Sequence, residues 1–598
     1  MCGIFALLNS NSSGFSDKYI QEQFEKGKGR GPEHSILKYF GKNTLFGFHR
    51  LAINGLNTAS NQPIVKGNLT LICNGEIYNY KQLYKILGIE SETQSDCEVI
   101  LHLYEKFGID RCLQLLDGVF AFILLDYNVE ADAAKLYVAR DPFGVRPLYL
   151  LKSEHLMHTV EDMMKTNQHK MPVFGFASEL KCLSDFQNNS TIEHLIPGTY
   201  QVYTHSFQVS SHWKLVNNSI RYHIPSIITT QYSGFDYREE SNNLRGIIQS
   251  TLRDAVEKRC FTTERPIACL LSGGLDSSLI TALVNDYHKK NRLPQLETYS
   301  IGLPGSVDLH YARIVADYLG TKHTEILLEE ADFLNAIPEV IQAIESYDTT
   351  SVRASIGNYL LGKYIAANSE AKVIFNGDGS DELTGGYLYF HKAPNSIEFD
   401  LECRRLLSDI YLYDVLRSDK CISTHGLEPR TPFLDRGWVQ SYLSISAEIR
   451  NHAKHGACEK HLLRLAFDSY TNLDGDRLLP KEIIWRTKEA FSDGVSQQSR
   501  SLYEIIQEHI QNKYKENGYP DENFIYSNEL DINKHVIIKT YSHNEPKTLE
   551  QQYYRDIFEG FYPGFNKIVP YMWMPKFIEG ATDASARTLK IYNEINSL

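Results

Sequence analysis

Through the first two hundred residues the apolar positions come in short runs closed by turn residues: Thr44–Ile53, Leu69–Cys73, Val119–Asp126 and Lys135–Arg140. Runs bounded in this way predict strands, here of an antiparallel, strand-rich layer. From Asn243 the apolar positions recur at helical spacing as far as Arg259. Beyond that point apolar strands at Ile267–Leu271, Thr298–Ile301 and Val373–Phe375 alternate with helical stretches that include Ser277–Lys289 and Asp308–Leu319. Strand and helix in alternation predict a parallel sheet whose carboxyl ends present ligand sites.

Between the two patterns, Ile220 to Asn242 carries Pro225, paired threonines and a polar run, and is expected to be a domain seam. It separates an expected domain at 2–212 from one at 240–598, and a chain of 598 residues is long enough to need at least two cores. Ser153–Lys170 and Asn512–Lys547 are polar and weakly periodic, as surface insertions are, and no repeat or low-complexity tract is found. The net charge of -13 leaves no broad basic footprint, which argues against nucleic acid or an anionic membrane as partner and toward small ligands. The ten cysteines are scattered, with no CxxC pair and no zinc-like spacing. That pattern fits a reducing compartment. Gly3 to Leu8 is too short for a signal peptide and lacks its basic flank, and no stretch approaches a membrane span, so a cytoplasmic protein is expected.

Two places carry candidate chemistry. The chain opens Met1-Cys2-Gly3, and a residue as small as Cys2 permits removal of the initiator methionine. Cys2 would then hold a thiol and an amine together, and an α-amino group, with a pKa near 8, can take the thiol proton. Read alone, the same residue is equally a small buried position at a strand start. The second place is Ser272-Gly273-Gly274-Leu275-Asp276-Ser277-Ser278, a Gly-rich turn between a strand and a helix. Successive N–H groups and the positive end of the helix make such a turn a phosphate cradle, although no Gly-Lys-Ser/Thr follows as in a Walker A loop. Asn376-Gly377-Asp378-Gly379-Ser380-Asp381-Glu382 ends another strand, and its acidic residues suit either a solvated turn or a hard cation beside a phosphate.

The wider context of Cys2 comprises Arg30-Gly31-Pro32-Glu33, His49 to Ile53, Asn74 to Asn79, Ser95 to Glu98 and Ala139 to Tyr149. Together these resemble the glutaminase domain of amino-terminal-nucleophile amidotransferases over nearly all of residues 2–200. The resemblance implies that Cys2 is the nucleophile and that Asn74 and Gly75 form the oxyanion hole. Glutamine would be held by Arg50, Ile53, Asn74, Gly75, Glu76 and Asp96, with Arg50 on its carboxylate and Asp96 on its ammonium. The Ser272 to Ser278 string resembles the pyrophosphate loop of enzymes that split ATP into AMP and pyrophosphate. With Tyr299 to Ser306, Tyr347 to Ser355, Glu428 to Asp435, Trp485 to Val495 and Tyr571 to Thr588, the resemblance is to glutamine-hydrolysing asparagine synthetases, of the eukaryotic type.

That family implies an amino-terminal αββα sandwich of antiparallel sheets and a carboxy-terminal doubly wound parallel-sheet ATP pyrophosphatase domain. It further implies ATP contacts from Leu270, Ser272, Gly273, Gly274, Asp276, Ser277, Ile301, Asn376 and Gly377, and Mg2+ on Asp276 and Asp381. Lys488 would meet the α-phosphate, Asp378 would act in catalysis, and Thr350 and Arg353 would help to hold aspartate. A homodimer is implied in the same way. The chain departs from the family pattern at Glu33, usually Asp, and at Asn376 and Asp378, usually Ser and Glu. The expected reaction converts aspartate, glutamine and ATP into asparagine, glutamate, AMP and pyrophosphate, with ammonia passing through a shielded channel. Two other readings stay open: an amidotransferase for a different carboxylate, and a glutaminase fold kept as a regulatory partner.

Overall fold

A computed structural model describes residues 2–10, 15–41, 43–128, 133–153, 172–186, 190–206, 210–224, 241–488, 494–497, 499–516 and 541–585. Most of the expected seam and of both expected insertions lies outside the described residues, as do 489–493 and 586–588 of the quoted motifs. The chain forms two compact units, one of residues 1–225, 261–266 and 423–428 and the other of the rest.

The first unit contains two antiparallel six-stranded sheets. One runs β10 (Ser190–His194), β8 (Tyr149–Ser153), β9 (Val173–Ala177), β1 (Gly3–Leu8), β3 (Thr44–Arg50) and β2 (His34–Tyr39). The other runs β12 (Ser210–Arg221), β11 (Thr199–Ser206), β7 (Ala133–Arg140), β6 (Gly118–Asn128), β5 (Leu69–Ile77) and β4 (Ile64–Lys66). The apolar run of β6 explains the layering. Alternate side chains of a strand face opposite sides, so Phe120, Phe122 and Leu124 pack with the helices Tyr80–Leu87 and Val99–Leu115. Ala121, Ile123 and Leu125 pack instead with Ile4, Ala6 and Leu8 of β1. On the outer side of the first sheet, Phe24 of the helix Asp17–Glu25 lies 5.8 Å from Phe5. The result is the expected αββα sandwich.

The second unit holds a five-stranded sheet in the order β15 (Lys322–Leu327), β14 (Glu297–Gly302), β13 (Ile267–Leu270), β16 (Val373–Phe375) and β17 (Glu428–Arg430). β13 is parallel to both β14 and β16, so the strand order reverses beside it, where open α/β sheets bind ligands. The helix Leu275–Lys290 follows β13 and Val307–Leu319 follows β14. Gly273 makes the tight passage out of β13: its φ is +71°, and a Cβ there would stand 2.4 Å from the Ala312 nitrogen. Among the described residues, no helix is long and apolar enough to cross a membrane.

Candidate active sites

In the first unit, β1 and β5 bring Cys2 and Asn74 together. The Cys2 backbone N–H donates to Asn74 Oδ1 at 3.0 Å, and the Cys2 carbonyl accepts from Arg30 Nε at 3.1 Å. Fixing Oδ1 in this way orients the amide, and Asn74 Nδ2 is left with a 3.5 Å contact to Ser178 Oγ. A donor so weakly used beside a nucleophile is what an oxyanion hole needs. Gly75 sits under β6, where a Cβ would meet the Val119 carbonyl oxygen at 2.6 Å. The Cys2 thiol donates to the Leu51 carbonyl at 3.7 Å, and burial pushes its pKa up against the pull of Arg50.

Arg50 ends β3 with its guanidinium turned into the following loop. Its Nη1 donates to the Asn57 carbonyl (3.0 Å) and to Asn61 Oδ1 (2.6 Å), while Nη2 donates to the carbonyls of Asn54 and Gly55. Glu76 accepts from Asn54 Nδ2 at 2.7 Å, and Asp96 accepts from the Ile77 N–H at 2.7 Å. Ile53, Glu76 and Asp96 are all buried. Sequence reasoning missed the support for this loop, which comes from about two hundred residues away. Glu264 binds the Ile53 carbonyl through its N–H (3.0 Å) and the Gly55 N–H through its carboxylate (2.6 Å). The Arg265 side chain donates to the Ala52 carbonyl at 2.8 Å and pairs with Glu33, whose other oxygen accepts from the Ala52 N–H at 2.7 Å. The longer Glu33 side chain thus closes a ring of contacts around residues 52–55.

In the second unit a cavity opens at the carboxyl ends of β13, β14 and β16. Every residue expected at ATP lines it except Gly273, which packs on Tyr311 and Ala312, and Thr350, Arg353, Asp378, Asp381 and Lys488 line it too. In the turn after β13 the Ser272 and Ser277 hydroxyls bond each other at 3.0 Å, and the Ser272 N–H donates to Ser277 Oγ at 3.2 Å. Asp276 accepts from Ser380 Oγ at 2.8 Å. Asp381 stands between two ammonium groups, Lys460 Nζ at 2.6 Å and Lys488 Nζ at 2.7 Å, and Lys460 also reaches Asp276 at 2.5 Å. Burial would raise the Asp381 pKa, but the two lysines hold it below the usual carboxylate range.

Lys460 lies in no motif that the sequence marks. It has a left-handed backbone (φ +57°) and fits closely over Gly386, where a Cβ would stand 2.0 Å from Lys460 Cε. An ammonium bridging Asp276 and Asp381 shows that the pair suits a cation, and their hard oxygens suit Mg2+. Among the described residues no third His, Cys, Asp or Glu completes a cluster, so the remaining ligands would be phosphate oxygens and water.

At the departures from the family pattern, Asn376 Nδ2 donates to Ser418 Oγ at 2.8 Å and Asp378 lies 3.3 Å from Arg417 Nη2. Burial pushes the Asp378 pKa up to about 6 despite Arg417. Arg353 lines the cavity with its guanidinium paired to two carboxylates. Its Nε donates to Glu550 at 2.7 Å, its Nη1 and Nη2 donate to Asp583 at 2.9 and 2.6 Å, and Nη2 also meets Glu550. Two carboxylates therefore occupy the guanidinium expected to hold aspartate.

A half-buried cysteine at the start of the chain beside an amide donor, and a phosphate-type turn beside paired carboxylates, define a two-unit amidotransferase driven by a nucleotide. The glutamine amidotransferase domain profile matches residues 1–231, and the asparagine synthase profile matches 248–405 and 395–531. The chain is 40% identical to an asparagine synthetase [glutamine-hydrolyzing] of Gallus gallus over 612 residues, covering 99% of both chains. It is 39% identical to that of Homo sapiens and 40% identical to that of Cricetulus griseus, again over 99% of each chain. The chain belongs to the family of glutamine-hydrolysing asparagine synthetases and is an ATP-using carbon–nitrogen ligase of that family.

Proposed function

We propose that the chain forms asparagine by two linked reactions, with Cys2 as nucleophile in one and adenylation of aspartate in the other. Cys2 Sγ, once Met1 is removed, attacks the glutamine amide carbon while the α-amine takes the thiol proton. Asn74 Nδ2 and the Gly75 N–H stabilise the oxyanion. Collapse expels ammonia and leaves a thioester, which water hydrolyses to glutamate. Arg50 meets the glutamine carboxylate by exchanging its contacts with the Asn54 to Asn61 loop for the ligand, and Asp96 meets the ammonium.

In the second unit the β-carboxylate of aspartate attacks the α-phosphorus of ATP, pyrophosphate leaves, and β-aspartyl-AMP forms. Ammonia then attacks the β-carbonyl carbon and AMP departs. The turn from Ser272 to Ser277 takes the pyrophosphate, and Leu270, Ile301, Asn376 and Gly377 surround the adenosine. Lys488 and Lys460 stabilise charge on the phosphates. Asp276 and Asp381 would hold Mg2+, which supplies neutralisation of phosphate charge. The observation that carries the adenylation reading is the pair Asp276 and Asp381, bracketed by Lys460 and Lys488 next to a phosphate-type turn.

The test uses full-length protein with a free amino terminus, given glutamine, aspartate and Mg-ATP, with asparagine, AMP, pyrophosphate and glutamate quantified. Equal yields of asparagine, AMP and pyrophosphate are expected. The Cys2→Ala form should lose synthesis with glutamine and keep it with ammonium. Glutamate without AMP would refute the adenylation reading and favour a regulatory glutaminase.

A further inference from the structure

His452 sits in the segment 451–460, between the helices Ala447–Arg450 and His461–Phe467, and precedes Lys460 on that segment. It is 2% exposed, and neither of its ring nitrogens has a hydrogen-bond partner in the protein. Its neighbours are aromatic and edge-on: the His391 ring at 4.7 Å, from the short turn Leu388–Lys392, and the Phe399 ring at 5.5 Å, from the helix Ser396–Asp409. A buried polar group without a partner is costly, and a charge placed on it is costlier still.

The charges around the imidazole also oppose a proton. His391, His461 and Arg464 all disfavour one there. The carboxylates on the surrounding elements are Glu398, Asp400, Glu402, Asp409, Glu448 and Glu459, and each is paired with a lysine or an arginine. Arg404, Arg405, Arg450 and Lys454 are engaged in those pairs, and Lys392 and His455 are the remaining basic groups beside the segment. Burial first, and then the basic neighbours, push the His452 pKa down to about 3.

We infer that residues 451–460 form a proton-sensitive latch: a proton taken up by His452 releases the segment from His391 and Phe399 and withdraws Lys460 from Asp276 and Asp381. Acid then lowers adenylation and leaves glutamine hydrolysis as it was. The connection is short. The Ala457 N–H donates back to the His452 carbonyl at 3.1 Å, and Lys460 ends the segment with its ammonium 2.5 Å from Asp276 and 2.6 Å from Asp381. Once released, the imidazole regains its ordinary pKa of about 6.5. The closed form is therefore fully favoured above that value, and its advantage falls about tenfold per pH unit below it, until the buried value is reached. The inference rests on the reading of Lys460 as a cation at the phosphates of ATP.

Hydrogen exchange of the full-length protein, read by mass spectrometry on peptides covering 451–460 and corrected for the intrinsic pH dependence of exchange, measures the opening. From about pH 6.5 to pH 5 protection should fall about thirtyfold in the wild type, while β13 keeps its own. His452→Phe retains the ring contacts with His391 and Phe399 and cannot take the proton, so its protection should not change with pH. If that variant is already open at neutral pH, His452→Leu takes its place. Aspartate-dependent exchange of pyrophosphate into ATP supplies the functional readout. Its rate in His452→Phe, divided by that of the wild type at the same pH, should be close to one at neutral pH and rise toward pH 5, since the contribution of Asp378 is common to both proteins. Glutamine hydrolysis by the two should stay equal throughout. A wild-type segment whose protection ignores pH, a variant that opens in acid as the wild type does, or a ratio that stays at one overturns the latch. Wild-type protein that shows no pyrophosphate exchange at any pH overturns instead the adenylation reading, and hydrogen exchange alone then decides the latch.

Discussion

Replacing Arg353 by methionine separates a ligand-binding arginine from one that holds the fold. Arg353 is 4% exposed and its partners Glu550 and Asp583 are 0% and 8% exposed. Removing the guanidinium strands two carboxylates in the interior, and breaking a buried pair in this way costs about 3–5 kcal/mol. Total stabilities are about 5–15 kcal/mol, so the second unit should unfold at clearly lower urea. Asp583 gives the pH dependence. Burial raises its pKa, but hydrogen bonds and charge from Arg353 outweigh this and hold it below 3.8. In the wild type its stabilisation is therefore present above pH 3.8 and is lost as pH falls through the lowered folded value. In Arg353→Met burial is opposed only by the Ser585 N–H, which donates to Asp583 at 2.7 Å, so the pKa rises and the carboxyl regains stability by protonating as pH falls. The gap between the two proteins should thus be largest near neutrality and shrink toward pH 4. Urea unfolding followed by tryptophan emission and by ammonium-dependent AMP formation reads it, and Arg353→Met with Glu550→Gln and Asp583→Asn should recover much of the loss. A loss below about 1 kcal/mol, set against the buried-pair range, or one that does not change with pH, would refute the reasoning. A raised KM for aspartate at an unchanged urea midpoint would restore Arg353 as a direct ligand.

Lys460→Met frees Asp276 and Asp381 from a competing ammonium, so half-saturating Mg2+ should fall while AMP formation drops by about a hundredfold, the scale of one lost charge-stabilising donor; a Mg2+ titration of turnover checks both. Asp378, pushed up to about 6 by burial, ionises as pH rises through that value, so aspartate-dependent exchange of pyrophosphate into ATP should climb across pH 6 and lose this limb in Asp378→Asn. Glu33→Gln keeps the shape of the side chain but removes the ion pair with Arg265. With both partners roughly 30% exposed, solvent screening limits the loss to about 1 kcal/mol or less, and the KM for glutamine should rise at most about fivefold while ammonium-dependent synthesis stays unchanged.

The fold was legible where burial left a periodic trace. The runs at Lys135–Arg140 and Val373–Phe375 lie in β7 and form β16, and the helix expected at Asp308–Leu319 begins one residue earlier. Leu69–Cys73 was read too short because Asn74, Gly75 and Glu76 look like a turn by composition. In the structure the strand continues through them, paired residue for residue with Ala121, Phe120 and Val119. Gly75 is there because β6 leaves no room for a Cβ, and the strand pairing outweighs the local turn preference.

The candidate sites divide along the same line. Cys2, Asn74 and the turn after β13 were legible because each sits in a contiguous string whose order carries the chemistry. Lys460 and the Glu264–Arg265 clasp were not, since each acquires its role from a residue far away in sequence: Lys460 from Asp276 across 184 residues, Arg265 from Glu33 across 232. Arg353 is the opposite case. Its motif suggested an aspartate ligand, but Glu550 and Asp583 lie about two hundred residues on, and nothing in a contiguous string reveals that two carboxylates will reach a guanidinium first. A charged residue in a motif says which chemistry is available at a place. Only the partners brought by the fold decide whether that charge faces the ligand or holds the wall behind it.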